Sequence, residues 1–92
     1  EFFPPDMKKY KCLELAYLAI KKGGNAPGTL NAANEVAVDA FLKNKIGFLD
    51  ISKIIEKTLN ETPTQNLDTL PSVVENDQLS RQLALSLVSK ND

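Results

Sequence analysis

The 92-residue chain has 11 basic and 12 acidic residues, a formal charge of −1, and a hydrophobic fraction of 42%. This composition is typical of one globular domain and excludes a disordered tail. The balanced charge argues against nucleic-acid binding, which depends on a concentrated basic surface. No apolar run approaches the roughly 20 residues that cross a bilayer. We therefore predict neither a nucleic-acid partner nor a membrane partner.

The chain contains no histidine and a single cysteine, Cys12. The lack of histidine excludes histidine-based triads and dyads and the common zinc sites from this chain. A single cysteine forms no intramolecular disulfide. Because Cys12 lies in an apolar helical pattern, we predict a packed thiol and not a nucleophile.

Residues 1–10 read EFFPPDMKKY, and Pro4 and Pro5 disfavour a helix there. We expect an extended linker that follows a preceding domain. Because Phe2 and Phe3 are large and apolar, we expect them to pack against the helical body or against a neighbouring domain. The first residue is not methionine, which favours a fragment or a processed product.

A first helix is predicted from Lys11 to Lys22, with apolar residues at i, i+3, i+4 and i+7. Further apolar residues widen this face, so we expect burial on more than one side. Gly23 and Gly24 are expected to end the helix, and Pro27 to confirm the break. The expected core face consists of Cys12, Leu15, Ala16, Ala19 and Ile20, and the widening residues are Leu13, Tyr17 and Leu18.

A second helix is predicted from Thr29 to Lys43. It is apolar nearly all round, which is typical of a helix in the middle of a bundle. Its expected core face is Ala33, Val36, Ala37, Ala40 and Phe41, and its narrow polar stripe is Asn31, Glu35, Asp39 and Lys43.

A third helix is predicted from Ile51 to Asn60 or Glu61, with Asp50 as its N-cap. The short connection before it favours an antiparallel arrangement with the second helix. A short helical turn is predicted around residues 67–74 and is expected to be interrupted at Pro71.

A last helix is predicted from Asp77 to Ser89, capped by Asn76 or Asp77. No period-two alternation supports a strand, so the predicted fold class is all-α, a small antiparallel bundle of about four helices. The residues of the last helix that are expected to face inward are Leu79, Leu83, Ala84, Leu87 and Val88.

The segment LNAANEVAVDAF, residues 30–41, places Asn31, Asn34 and Glu35 at the expected start of an otherwise apolar helix. Helix capping explains these residues, and so does a polar surface that contacts another domain. A metal site of Glu35 with Asp39 is a third interpretation, although two carboxylates alone bind a metal weakly. We favour capping together with domain contact, and we predict no catalytic, cofactor-binding or metal-binding residue in this chain.

Several segments together resemble the C-terminal region of the 1-deoxy-D-xylulose 5-phosphate reductoisomerase family. The LNAANEVAV…AFL block is the most specific of them, because helicity alone does not dictate its order. The family often has proline at the position of Lys11, so this chain differs from the family pattern at the start of the first helix. The segments that carry the likeness are Lys9-Tyr10-Lys11-Cys12-Leu13-Glu14-Leu15-Ala16, Gly23-Gly24, Ala26-Pro27, residues 30–42 and Phe48-Leu49-Asp50-Ile51.

The resemblance implies a homodimeric parent enzyme that converts 1-deoxy-D-xylulose 5-phosphate to 2-C-methyl-D-erythritol 4-phosphate in non-mevalonate isoprenoid biosynthesis. It implies NADPH and a magnesium or manganese ion as cofactors, bound by domains outside this chain. Residues 1–10 would link the preceding catalytic domain to a C-terminal helical bundle, residues 11–92, that braces the catalytic domain. The implied location is the bacterial cytoplasm, or a plastid-type organelle in a eukaryote.

A stand-alone helical interaction module is the alternative function. An acyl-carrier-like module needs a serine directly after an aspartate at a helix start, whereas here Ile51 separates Asp50 from Ser52. A helix-turn-helix DNA binder would use the short connection that contains Gly47, but the charge balance opposes it. The accessory-domain interpretation further predicts an exposed apolar patch where the catalytic domain is missing.

Overall fold

The computed structural model describes residues 11–91, which form four helices and contain no strand. These helices are α1 (Lys11–Lys22), α2 (Ala26–Leu42), α3 (Phe48–Glu61) and α4 (Leu70–Asn91). The predicted all-α class is confirmed, and so is the predicted end of the first helix at Lys22, whereas its predicted start at Lys11 coincides with the first described residue. The linker predicted for residues 1–10, including Phe2 and Phe3, lies outside the described residues, so the domain division stays a prediction.

Helix α2 lies at the centre of the bundle and packs against each of the other three helices, as predicted. Its inward face consists mainly of alanines, which let neighbouring backbones approach closely. Near the start of α2, Asn25 Nδ2 donates to the carbonyl oxygen of Pro63, beyond the end of α3, at 3.0 Å. At the other end of α2, the rings of Phe41 and Phe48, which begins α3, pack edge to face with their centroids 5.9 Å apart. Helices α2 and α3 are therefore antiparallel neighbours. The fully buried alanines of α2 are Ala32, Ala33 and Ala37.

The expected breaks at Pro27 and Pro71 were wrong, because both prolines lie in the first turn of a helix. Helix α2 begins at Ala26 and not at Thr29. Helix α4 begins at Leu70 and runs without interruption. Proline is tolerated in the first turn, since the N–H groups there have no partner within the helix.

The N-caps of α3 and α4 also differ from the prediction. Gly47 is the N-cap of α3, and Asp50, the predicted cap, lies at the third helical position and accepts the Gly47 N–H at 2.8 Å. At the start of α4, the Thr69 N–H donates to Ser72 Oγ and the Ser72 N–H donates to Thr69 Oγ1, each at 3.2 Å. Both arrangements satisfy backbone donors that would otherwise be unpaired at a helix start.

The inward face of α4 is partly polar. Asn76 and Asp77 were predicted to cap a helix, but both lie inside α4, and Asn76 is buried. Leu79 was expected to face inward, yet it is 58% exposed, and Ser80 is buried in its place. The expectation for the C-terminal half is confirmed: Ala84, Leu87 and Val88 are buried, and Leu83 packs against the core.

Two glycines end α1, as predicted. Gly23 and Gly24 have φ values of 69° and 55°, the left-handed conformation that glycine adopts with least strain. The α3–α4 loop packs onto this turn so closely that a Cβ on Gly24 would lie 2.5 Å from the carbonyl oxygen of Gln65. The α1–α2 turn and the α3–α4 loop are therefore packed as one unit.

Candidate functional surfaces

The polar stripe of α2 is exposed, as predicted, and it joins α2 to α4. Asn31 Nδ2 donates to Glu35 Oε2 at 3.3 Å. The other carboxylate oxygen of Glu35 accepts from Arg81 Nη2 at 2.9 Å, and Arg81 Nε donates to Asp77 Oδ2 at 2.8 Å. These hydrogen bonds, the one to Asp77 first, raise the pKa of Arg81 above its usual value. A partly exposed pair of this kind contributes at most about 1 kcal/mol to stability.

The capping interpretation of the LNAANE segment was wrong, because α2 begins at Ala26 and Asn31 therefore lies in its second turn. The position before the helix is occupied by Asn25, whose side chain forms no capping hydrogen bond. Asn34 is exposed on the same side of α2 as Asn31 and Glu35. Of the interpretations weighed for this segment, contact with another domain remains a prediction.

The described part of the chain offers no metal centre. Residues 11–91 contain no group of three or more histidine, cysteine, aspartate or glutamate side chains close enough to bind one ion. Glu35 and Asp39, the pair considered from the sequence, are each engaged by a cation: Arg81 at 2.9 Å and Lys43 at 3.0 Å. A resident metal ion would thus need ligands from elsewhere in the protein.

A buried polar network joins the α1–α2 turn, the α3–α4 loop and α4. Asn25, which is buried, donates through Nδ2 to the Pro63 carbonyl at 3.0 Å and to Asn76 Oδ1 at 3.1 Å. Asn25 Oδ1 accepts the Gln65 N–H at 2.8 Å. The Thr29 hydroxyl oxygen extends the network by accepting from Asn76 Nδ2 at 3.3 Å. No buried side-chain nitrogen or oxygen within residues 11–91 lacks a partner.

Sequence reasoning missed this network, although a partial signal for it exists. Asn76 and Ser80 are spaced i, i+4 and continue to Ala84, so they fall on the buried face of one helix. Thr29 accepts from Ser80 Oγ at 3.2 Å and lies four positions after Asn25. Two polar i, i+4 pairs in line with apolar residues are compatible with a buried polar contact, but the spacing alone does not distinguish that contact from an exposed polar face.

Helix α1 buries only one of its faces in this chain. Leu15 and Ala19 are buried against α2 and α3, and Cys12 packs against the same core. The expected burial of Ile20 was wrong, since this residue is 68% exposed. The widening residues are also exposed, which contradicts the expected two-sided burial and confirms the predicted exposed apolar patch. They are Leu13 at 49%, Tyr17 at 68% and Leu18 at 47%.

The single thiol and the lysines of α1 show no reactive arrangement. Burial raises the pKa of the Cys12 thiol, which favours the protonated, less nucleophilic form. Lys11 pairs with Glu14 and Glu56 at 3.4 Å each, and the hydrogen bond with Glu14 is the largest cause of its raised pKa. Lys21 and Lys22 are exposed to solvent in the last turn of α1, where cations interact favourably with the unpaired carbonyl groups.

The fold and these surfaces define the class of the protein: a small helical domain with an unpartnered apolar face, and no metal centre among residues 11–91. No helix in this described range has the length and apolar character to cross a bilayer. Residues 1–83 match the DXP reductoisomerase C-terminal domain family, and the chain belongs to that family.

Curated relatives carry the name 1-deoxy-D-xylulose 5-phosphate reductoisomerase. The protein of Vesicomyosocius okutanii is 47% identical over 90 residues, which are 98% of this chain and 24% of that protein. The protein of Cupriavidus pinatubonensis is 49% identical over 83 residues, 90% of this chain and 21% of that protein. The chain thus spans about a quarter of the length of these relatives.

A solved structure has the same fold. It is 1-deoxy-D-xylulose 5-phosphate reductoisomerase from Zymomonas mobilis in complex with NADPH, with a TM-score of 0.85 and 45% sequence identity. The match covers 96% of this chain and 23% of that one. The family resemblance found in the sequence is therefore confirmed.

Proposed function

We propose that this chain is the C-terminal domain of a longer polypeptide that acts as an NADPH-dependent 1-deoxy-D-xylulose 5-phosphate reductoisomerase. The domain itself performs no chemistry. It braces the catalytic part of the polypeptide, which supplies the substrate, nucleotide and metal contacts. The observation that carries the proposal is the family match over residues 1–83, joined to 45% identity with the NADPH-bound enzyme of Zymomonas mobilis.

Three features of the chain support a non-catalytic role. It has no histidine, so the commonest general acid–base group is absent. Burial raises the pKa of its only thiol, which disfavours a nucleophilic thiolate. The carboxylates of Glu35 and Asp39 are paired with cations. We therefore assign no catalytic, cofactor-binding or metal-binding residue to this chain.

The finer parts of the proposal concern the parent enzyme. It uses a magnesium or manganese ion together with NADPH, works as a homodimer and supplies isoprenoid biosynthesis. Its location is the cytoplasm of a bacterium, or a plastid-type organelle in a eukaryote. Residues 1–10 link the catalytic domain to the helical bundle of residues 11–92.

The test is turnover by the complete polypeptide that contains this chain. NADPH oxidation is followed with 1-deoxy-D-xylulose 5-phosphate and magnesium or manganese, and the product is identified by mass spectrometry. The matched controls are the 92-residue chain alone and the polypeptide truncated before Lys11. We expect turnover only in the complete polypeptide. No turnover there would refute the proposed parent activity, and turnover by the 92-residue chain alone would refute its non-catalytic role.

A stand-alone helical interaction module is the weaker proposal. Its support is the exposed apolar face of α1, which by itself fits any apolar partner. The relatives argue against it, because this chain matches about a quarter of each of them.

A further inference from the structure

We propose that the outward face of α1 is the surface against which the preceding part of the same polypeptide packs. We define this outward face as Leu13, Tyr17 and Ile20. The inference rests on the proposed function, since it requires a larger polypeptide, and it names the contact through which the domain braces the catalytic part.

The geometry of α1 separates two apolar faces. Leu15 and Ala19, spaced i, i+4, point into the bundle and are almost fully buried. Leu13, Tyr17 and Ile20 have the spacing i, i+4, i+7, so they form a second stripe on the opposite side of the helix. Tyr17 and Ile20 are each 68% exposed. A helix with apolar stripes on two opposite sides is typical of a middle layer between two packed bodies.

The composition of the outward face fits a protein interface. Tyrosine, whose ring is apolar and whose hydroxyl is polar, is among the residues enriched at interface centres. Exposed charged residues border the stripe on one side, namely Glu14 and Lys21. An apolar centre beside such a polar rim is the usual arrangement of a specific protein–protein contact.

The chain order favours the preceding polypeptide as the occupant. The matched family is a C-terminal domain, and about three-quarters of each relative lies outside the match, so the remaining mass lies on the N-terminal side. Helix α1 is the first described helix after residue 10, and it is therefore the helix closest in sequence to that mass. A covalent tether raises the effective concentration of the preceding part beside α1 far above that of any free partner.

Thiol protection in the complete polypeptide tests this contact. Tyr17→Cys is compared with Leu79→Cys, because Tyr17 is 68% exposed in the bundle and Leu79, on α4, is 58% exposed. Both variants carry Cys12→Ala, so that no second thiol lies in the α1 peptide. Alkylation rates are measured by peptide mass spectrometry and divided by the rates in denaturant. If Tyr17→Cys fails to fold, Ile20→Cys replaces it.

We expect position 17 to react at least about tenfold more slowly than position 79, because reaction there requires opening of the contact. Equal normalised rates would overturn the proposal. Turnover of the unsubstituted polypeptide is measured in parallel. Equal alkylation rates at the two positions together with intact turnover would refute this inference alone. Absence of turnover would refute the proposed parent activity.

The occupant is identified by photo-crosslinking. Benzoylphenylalanine replaces Tyr17, one aromatic side chain for another, and isotope-labelled and unlabelled chains are unfolded and refolded together. We expect crosslinks from position 17 to peptides that precede Glu1 within the same chain. Crosslinks that join a labelled chain to an unlabelled one would overturn the proposal, since they would show that a second copy covers the face.

Discussion

Removal of the Asn25 side chain is the most informative perturbation of this bundle. Asn25 is 1% exposed, and its amide group has partners in the α3–α4 loop and in α4. Asn25→Ala leaves the Asn76 Oδ1 acceptor and the Gln65 N–H donor without this partner. The Pro63 carbonyl loses a hydrogen bond as well. The expected result is a large loss of stability with no change of fold class.

The magnitude follows from the burial of each partner. The contact with Asn76 is fully buried, so the unpaired oxygen costs about 1–3 kcal/mol. The hydrogen bonds with Pro63 and Gln65 are part-buried, so water can bind the groups that lose Asn25 as a partner. The loss of each of these two bonds therefore costs about 0.5–1 kcal/mol. The total is about 2–5 kcal/mol, which is comparable to the entire stability, about 5 kcal/mol, of a domain of this size.

Urea unfolding followed by far-ultraviolet circular dichroism measures this loss. The matched control is Asn34→Ala, in which the same side chain is removed from an exposed position of α2. The control should change the free energy of unfolding by no more than about 0.5 kcal/mol. In both variants the free energy of unfolding should fall with urea concentration at the same slope as in the original chain, because the surface exposed on unfolding is unchanged. A loss of less than about 1 kcal/mol for Asn25→Ala would refute the network's role in stability.

Two further predictions concern α1 and the turn that follows it. Gly23→Ala and Gly24→Ala both force alanine into a left-handed conformation, which costs about 1–2 kcal/mol. Only a Cβ at Gly24 collides with the α3–α4 loop, so Gly24→Ala should have the lower urea midpoint, and equal midpoints would contradict the packing described. Burial raises the pKa of the Cys12 thiol, so iodoacetamide alkylation of the folded chain should increase at higher pH than in the urea-unfolded chain. Intact-mass measurements across a pH series check this, and coincident profiles would exclude the shift.

Local patterns in the sequence predicted what depends on local chemistry. The end of α1 follows from the left-handed glycines after Lys22, and its buried side follows from its apolar spacing. The central position of α2 follows from its apolar character on nearly all sides. The starts of α2 and α4 were misjudged because Pro27 and Pro71 were treated as breaks, although proline fits a first helical turn.

What local patterns did not predict depends on distant partners. Periodicity alone does not reveal that Asn76 and Ser80 turn inward, because the hydroxyl of Thr29, which receives their hydrogen bonds, lies about 50 positions away. The same limit applies to α1: its two apolar stripes are visible in the sequence, but the bundle contacts only one of them. The apolar surplus beyond one face of the first two helices, together with Phe2 and Phe3, supplied the expectation of a missing neighbour, and the family resemblance named that neighbour as the catalytic domain.

The separation of the Asn25 partners in the chain has a consequence for the order of folding. The side-chain contacts with Pro63, Gln65 and Asn76 span 38, 40 and 51 positions. Contacts that close such long segments carry a high entropic cost and form after local helical structure. We therefore expect these hydrogen bonds to form late in folding, so that their loss accelerates unfolding more than it slows refolding in stopped-flow kinetics.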